Sequence, residues 1–176
     1  MCKPRILLVL TLAVMTALPT AGKSWLGGVY SPKGVGVSSL METSGRSSYL
    51  KAELVADLAG VLRGWGDVPG IQARFSHLYT LVRTELPTGT SLKFQSGPGA
   101  MFGYVCDQEG NHGMTACLCG EAGLFFDFQK KVAVGLFFSA DVGLHHQRKG
   151  SADLVKFYLN GVLRAYYPEL RLLYRF

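Results

Sequence analysis

The chain has 176 residues, 48% of them hydrophobic and only 17% charged, with 22 glycines and a formal net charge of +6. That surplus is mild, and no basic run carries interleaved aromatics, which argues against nucleic acid as a partner. After the first 22 residues no stretch approaches the roughly 20 continuous apolar residues of a membrane helix, so a soluble domain and a β-barrel are the two classes left.

At the start, Lys3 and Arg5 precede an apolar run from Ile6 to Leu18, followed by the small residues Thr20-Ala21-Gly22. This is the pattern of a cleaved secretory signal peptide over 1–22, too short and wrongly flanked for a spanning helix. Lys23 stands where a lipoprotein needs its cysteine, so no lipid anchor is expected. Residues 23–176 then form one domain of about 154 residues.

Period-two alternation marks strands through most of that domain. Residues 33–42 are the first. Segment 49–63 alternates Leu50, Ala52, Leu54, Ala56, Leu58 and Leu62 with Lys51, Glu53, Asp57 and Arg63. The same leucines also recur every four residues, as in a helix, and only the alternating context favours a strand. In 71–84, Ile71, Ala73, Phe75, Tyr79 and Leu81 share a face with His77. Over 91–105, Leu92, Phe94, Ala100, Phe102 and Tyr104 oppose Lys93, Gln95 and glycines, with a bulge or bend expected at Pro98, which cannot donate to a ladder.

The next two segments, 114–128 and 130–145, are the cleanest. Val132, Val134, Leu136, Phe138, Ala140, Val142 and Leu144 line one face without a break, and Gln129-Lys130-Lys131 turns between the two strands. Segments 152–160 and 170–176 complete eight. In the last, Leu170, Leu172, Tyr174 and Phe176 oppose Arg171, Leu173 and Arg175.

Taken together, the leader, the alternating body and the closing aromatic strand resemble the small bacterial outer-membrane barrels, the broad class that includes the membrane domain of outer-membrane protein A. The resemblance implies an all-β fold, a closed antiparallel up-and-down transmembrane β-barrel of about eight strands, in the cell outer membrane. It implies outer-membrane lipid and lipopolysaccharide as surroundings, and Leu172, Tyr174 and Phe176 as the signal read by the barrel-insertion machinery. Counting eight strands from periplasmic termini puts the Gln129 turn outside the cell, against the rule that outer loops are the longer ones. No motif narrows the class to one activity.

If apolar faces point outward, the charges turn inward. Lys51, Glu53, Asp57, Arg74, Lys93, Glu121, Asp141 and Arg171 are the expected lumen network, with Asp127 and Glu169 among further inward acids. Eight strands leave an interior that side chains fill, and enclosed charges must be paired. A plug of ion pairs follows, rather than a pore.

His77 breaks the apolar face and is the one weak catalytic candidate. Some barrels of this size modify lipid A with a histidine, but their His-x-Ser-Asn element is absent here, where Leu78-Tyr79-Thr80 follow. Cys106, Cys117 and Cys119 are an odd set; a hairpin disulfide between Cys106 and Cys117 is conceivable only if a bulge shifts one face. A metal site from Cys117, Cys119 and His112 lacks paired ligand spacing, and no metal or cofactor is expected. His145-His146 with Arg148 and Lys149 reads as a solvated loop, and Trp25, Trp65, Tyr166 and Tyr167 as interfacial girdle aromatics.

Three functions are open at this point. The first is a non-enzymatic barrel serving adhesion, surface protection or envelope integrity. The second is a lipid-modifying enzyme using His77, and the third a soluble, lipocalin-like periplasmic binder with its apolar faces inward.

Overall fold

The computed structural model describes residues 23–43, 47–64, 68–87, 89–106, 111–128, 131–149, 152–160 and 168–176. The expected leader lies outside them, as do Trp65, Tyr166 and Tyr167. Among these residues nine strand segments and one short helix occur in order: β1 (Ser24–Ser31), β2 (Gly34–Glu42), β3 (Ser48–Asp57), α1 (Ala59–Leu62), β4 (Gly70–Glu85), β5 (Ser91–Cys106), β6 (His112–Phe128), β7 (Val132–Lys149), β8 (Ala152–Asn160) and β9 (Pro168–Arg175).

Each strand from β1 to β7 pairs antiparallel with the next, and β9 pairs with both β1 and β7, which closes the sheet. β8 and β9 lie end to end along β7, against residues 141–149 and 132–138 respectively. They are two halves of one stave, so the wall is an eight-stranded antiparallel barrel.

The closure is staggered. Pairings followed from Gly28 through Val37, Leu54, Ala73, Phe102 and Ala116 arrive at Leu144, whereas the short way round, through Leu172, arrives at Val134. An offset of ten residues on eight strands corresponds to strands tilted by roughly 40° to the barrel axis.

Along the strands, alternate residues face opposite ways. Outside are Leu26, Tyr30, Val37, Leu50, Phe75, Phe94, Phe102, Leu118, Leu136, Phe138, Leu144, Leu172 and Tyr174, all exposed. Inside are nearly all the buried charged groups. Continuous alternation through β6 and β7 forces this split, because a slip of one residue would exchange the faces.

The strand count needs three corrections. Ser24–Ser31 is a strand, although its glycines Gly27 and Gly28 blur the alternation. Residues 152–160 and 170–176 belong to one stave rather than two. With that recount the turn at 129–131 sits at the same end as the termini, beside the connections 43–47 and 86–90. The strand expected over 49–63 ends at Asp57 and gives way to α1. There Asp57 Oδ1 accepts from the Ala59 N–H at 2.9 Å and starts the helical turn.

Smaller corrections follow from register. At Pro98 the ladder to β6 continues, Pro98 opposite Gly120, while the pairing with β4 lapses between Gly99 and Ser96; the register shift lies in β4, between Thr80 and Val82. His145 and His146 are not in a loop but on β7, with His145 buried inside and His146 outside. Trp25 is not a girdle residue: it is 1% exposed and enclosed by the barrel.

Candidate functional site: the closed lumen

The interior is layered. Nearer the far end from the termini, β3, β4, β6, β7 and β9 project Lys51, Glu53, Arg74, Glu121, Asp141, Glu169 and Arg171 toward one another. Lys51 bridges Glu53 at 2.7 Å and both oxygens of Glu121. Arg171 reaches Glu53 at 2.7 Å, Glu121 at 3.0 Å and Glu169 at 2.8 Å. Arg74 pairs with Asp141 at 2.9 Å and with Glu169.

Hydroxyls complete the set. Ser38 donates to Glu53 at 2.9 Å, Ser76 to Glu121 at 2.7 Å and Ser139 to Glu169 at 3.0 Å. Such a cluster is tolerable in a closed interior only because every charge is paired, most of them more than once. Removing one member would strand the others without water.

Three cations thus face four carboxylates, and a fourth cation stands close by. Lys33, on the β1–β2 turn, lines a cavity of about 20 Å³ together with Asp57, Gln72, Arg74, Ser139 and Glu169. Burial pushes its ammonium down to about 8, against the opposing pull of Asp141, Asp57 and Glu169. A cavity that small holds roughly one water molecule.

Toward the termini the chemistry changes within two residues on β3, β7 and β9. Below Lys51 on β3 comes Tyr49; below Arg171 on β9, Leu173; below Ser139 on β7, Phe137. With Trp25, Leu40, Leu78, Phe125 and Ala133 they form an apolar cluster that fills the bore. Trp25 packs edge-on against Tyr49 and Phe125, centroids 5.8 and 6.1 Å apart. The Arg171 guanidinium lies 4.1 Å from the Phe137 ring centre, joining the two layers.

Lys93 sits under this cluster, its Nζ 5.4–5.9 Å from the centres of the Tyr49, Phe125 and Trp25 rings. It donates to the Tyr49 hydroxyl at 3.0 Å and faces Asp127 at 3.5 Å. Beyond it a cavity of about 260 Å³, lined by Glu42, Arg83, Asp127 and Arg175 among others, opens toward the termini.

Of the eight expected lumen charges, six therefore meet in one network. Asp57 stands apart, bonded to Gln72 and α1, and Lys93 belongs to the aromatic layer. That layer is what the sequence reading missed; its signal was the inward register of Tyr49, Phe125 and Phe137. Leu172, Tyr174 and Phe176 lie on the outer face, exposed.

The other candidates sit elsewhere. His77 is on the outer face of β4, where its Nδ1 is 3.0 Å from the Tyr79 hydroxyl. The Cys106–Cys117 bridge, conceivable only with a bulge, does not form. No disulfide links the described cysteines: Cys106 lies opposite His112 and faces outward at the far rim, whereas Cys117 lies opposite Met101 and faces the lumen. The described β5–β6 ladder runs in one register from Ser91–Asp127 to Cys106–His112, which keeps the two on opposite faces.

No helix among the described residues is long and apolar enough to cross a membrane, which leaves open whether strands do so. No protein-family model, curated protein or solved structure matches the chain.

Proposed function

We propose that the chain is an outer-membrane barrel with a sealed lumen, exported through a cleaved leader over residues 1–22 and serving adhesion or envelope integrity. The observation that carries this reading is the distribution of polarity: large apolar side chains cover the outside of every stave, while the paired charges lie inside. In water that arrangement would expose far more contiguous apolar surface than a monomer tolerates. In a bilayer it places hydrocarbon against hydrocarbon and encloses the ions. Outer-membrane lipid and lipopolysaccharide are then its surroundings, and the outward Leu172, Tyr174 and Phe176 meet the insertion machinery.

Two stacked plugs, one ionic and one aromatic, support a structural or surface role over transport. Cell fractionation and gel migration with and without heating test the location. Recovery in the membrane fraction, with a heat-dependent shift, is the expected result; full recovery in the soluble fraction without detergent would favour the soluble binder. Purified protein in planar bilayers should give no stable conductance, and steady nanosiemens-scale steps would rule the seal out.

A lipid-modifying enzyme is the second reading, favoured by one observation: the Tyr79 hydroxyl orients the His77 ring, as a catalytic base needs. Lipid A mass analysis of a His77→Ala strain tests it, and an unchanged profile removes it.

A further inference from the structure

The β3–β4 connection leans outward over the far rim instead of closing the bore. After Asp57 the chain passes the end of β4 and sets α1 against β5, where a Cβ at Gly60 would lie 2.7 Å from the Cys106 Cβ and 3.0 Å from its Sγ. On the return, the Val68 carbonyl accepts from His112 Nε2–H at 3.0 Å, and the His112 ring stacks on Tyr104 with centres 5.7 Å apart. Cys106, Tyr104 and His112 share the outward register of β5 and β6. Two contacts thus fasten the connection to the outside of the wall.

What it presents there is apolar. In α1 only Gly60 is buried, so the turn meets the wall through a residue with no side chain, while Val61 and Leu62 stay exposed, Leu62 at 70%. Val68, at the His112 bond, is 64% exposed. On the neighbouring wall Phe102, Tyr104 and Met114 are exposed as well, so the connection prolongs the apolar outer surface. Exposed Arg63 follows Leu62. Aliphatic side chains beside a rim tyrosine, with a cation at their edge, have the composition of a lipid interface.

We propose that Val61, Leu62 and Val68 form a foot on the lipid surface, inserted where headgroups give way to acyl chains, level with Tyr104. The inference rests on the membrane reading above, and continuity with the wall selects the partner. Lipid already covers Phe102 and Tyr104 in that reading, and a protein docked on the foot would have to displace it. The foot thereby fixes how deep the barrel sits.

The test places the photoreactive residue p-benzoylphenylalanine at Leu62, Val68 or Phe102, one position at a time, in the full chain in phosphatidylethanolamine–phosphatidylglycerol vesicles. After irradiation, mass spectrometry should find phospholipid adducts at all three. Those at Leu62 and Val68 should fall on the glycerol and the upper acyl carbons, those at Phe102 deeper along the chains. In the same vesicles, Val61→Asp combined with Leu62→Asp should release the foot. Amide exchange at Leu62 and Gly64, whose N–H groups donate to the Leu58 and Val61 carbonyls, should then quicken roughly tenfold.

Phospholipid adducts at Phe102 with none at Leu62 or Val68 overturn the foot and leave the membrane reading standing, as do adducts to a second copy of the chain at those two positions. No phospholipid adduct at any of the three sinks both. Exchange left unchanged by the two aspartates also overturns the proposal, because the connection would then be held by Cys106 and His112 alone.

Discussion

The ionic and aromatic layers occupy neighbouring sections of the same bore, yet they solve the filling problem by opposite means. In the aromatic layer Trp25, Tyr49, Phe125 and Phe137 contribute bulk, and each contact is individually weak and replaceable. In the ionic layer Lys51, Arg171, Glu53, Glu121 and Glu169 fill space too, but each depends on the charge of its neighbours. A defect in the first leaves a cavity; a defect in the second leaves an unpaired ion. Arg171 is where the two meet, by three carboxylates on one side and the Phe137 ring on the other.

The comparison can be broken most directly at that junction. Arg171→Ala should have the largest effect, about 3–5 kcal/mol or outright failure to fold, since three acids lose a partner at once. Urea titration followed by heat-dependent gel migration measures it, and a loss under 1 kcal/mol would mean the network is hydrated. Next, Phe125→Ala should cost about 3 kcal/mol through the cavity it leaves, with the ion pairs undisturbed.

Lys51 and Glu121 provide the sharper test. Lys51→Met or Glu121→Leu alone should each cost about 3 kcal/mol, whereas the double replacement should cost less than either. Additive losses in that cycle would show that the two residues are not mutually dependent.

The smallest expected effect concerns pH. Burial lowers the Lys33 ammonium from 10.5 to about 8, so between those values the unfolded chain binds more protons than the folded one. Stability should therefore rise as pH increases from about 8 toward 10. Unfolding curves across that window should flatten in Lys33→Met, and an identical slope in both proteins would contradict the shift.

Much of the barrel was legible in the alternation of 114–128 and 130–145, because strict period-two patterning fixes which side chains turn inward. It failed at Ser24–Ser31, where glycine at two successive positions removes the contrast, and at Ala59–Leu62, where leucine spacing fits either structure. The inward charges could be named from pattern alone. Their partners could not: Arg74 meets Asp141 across the bore, a contact set by the ten-residue stagger that no local stretch encodes. The aromatic layer was invisible for a related reason, since Trp25, Tyr49 and Phe125 come from three staves and converge only after closure.

The double pairing of β9 has a consequence for how the molecule is made. Until that segment docks, β1 and β7 both present raw edges, and the hydrogen-bonded ring is incomplete however well the rest has formed. Trp25 finds its neighbour Arg175 only across a separation of 150 positions in sequence, so closing the ring is the slow, long-range step. Assembly is then close to all-or-none: a product truncated before Pro168 should remain an open, adhesive ribbon for chaperones to hold, not a smaller version of the finished cylinder.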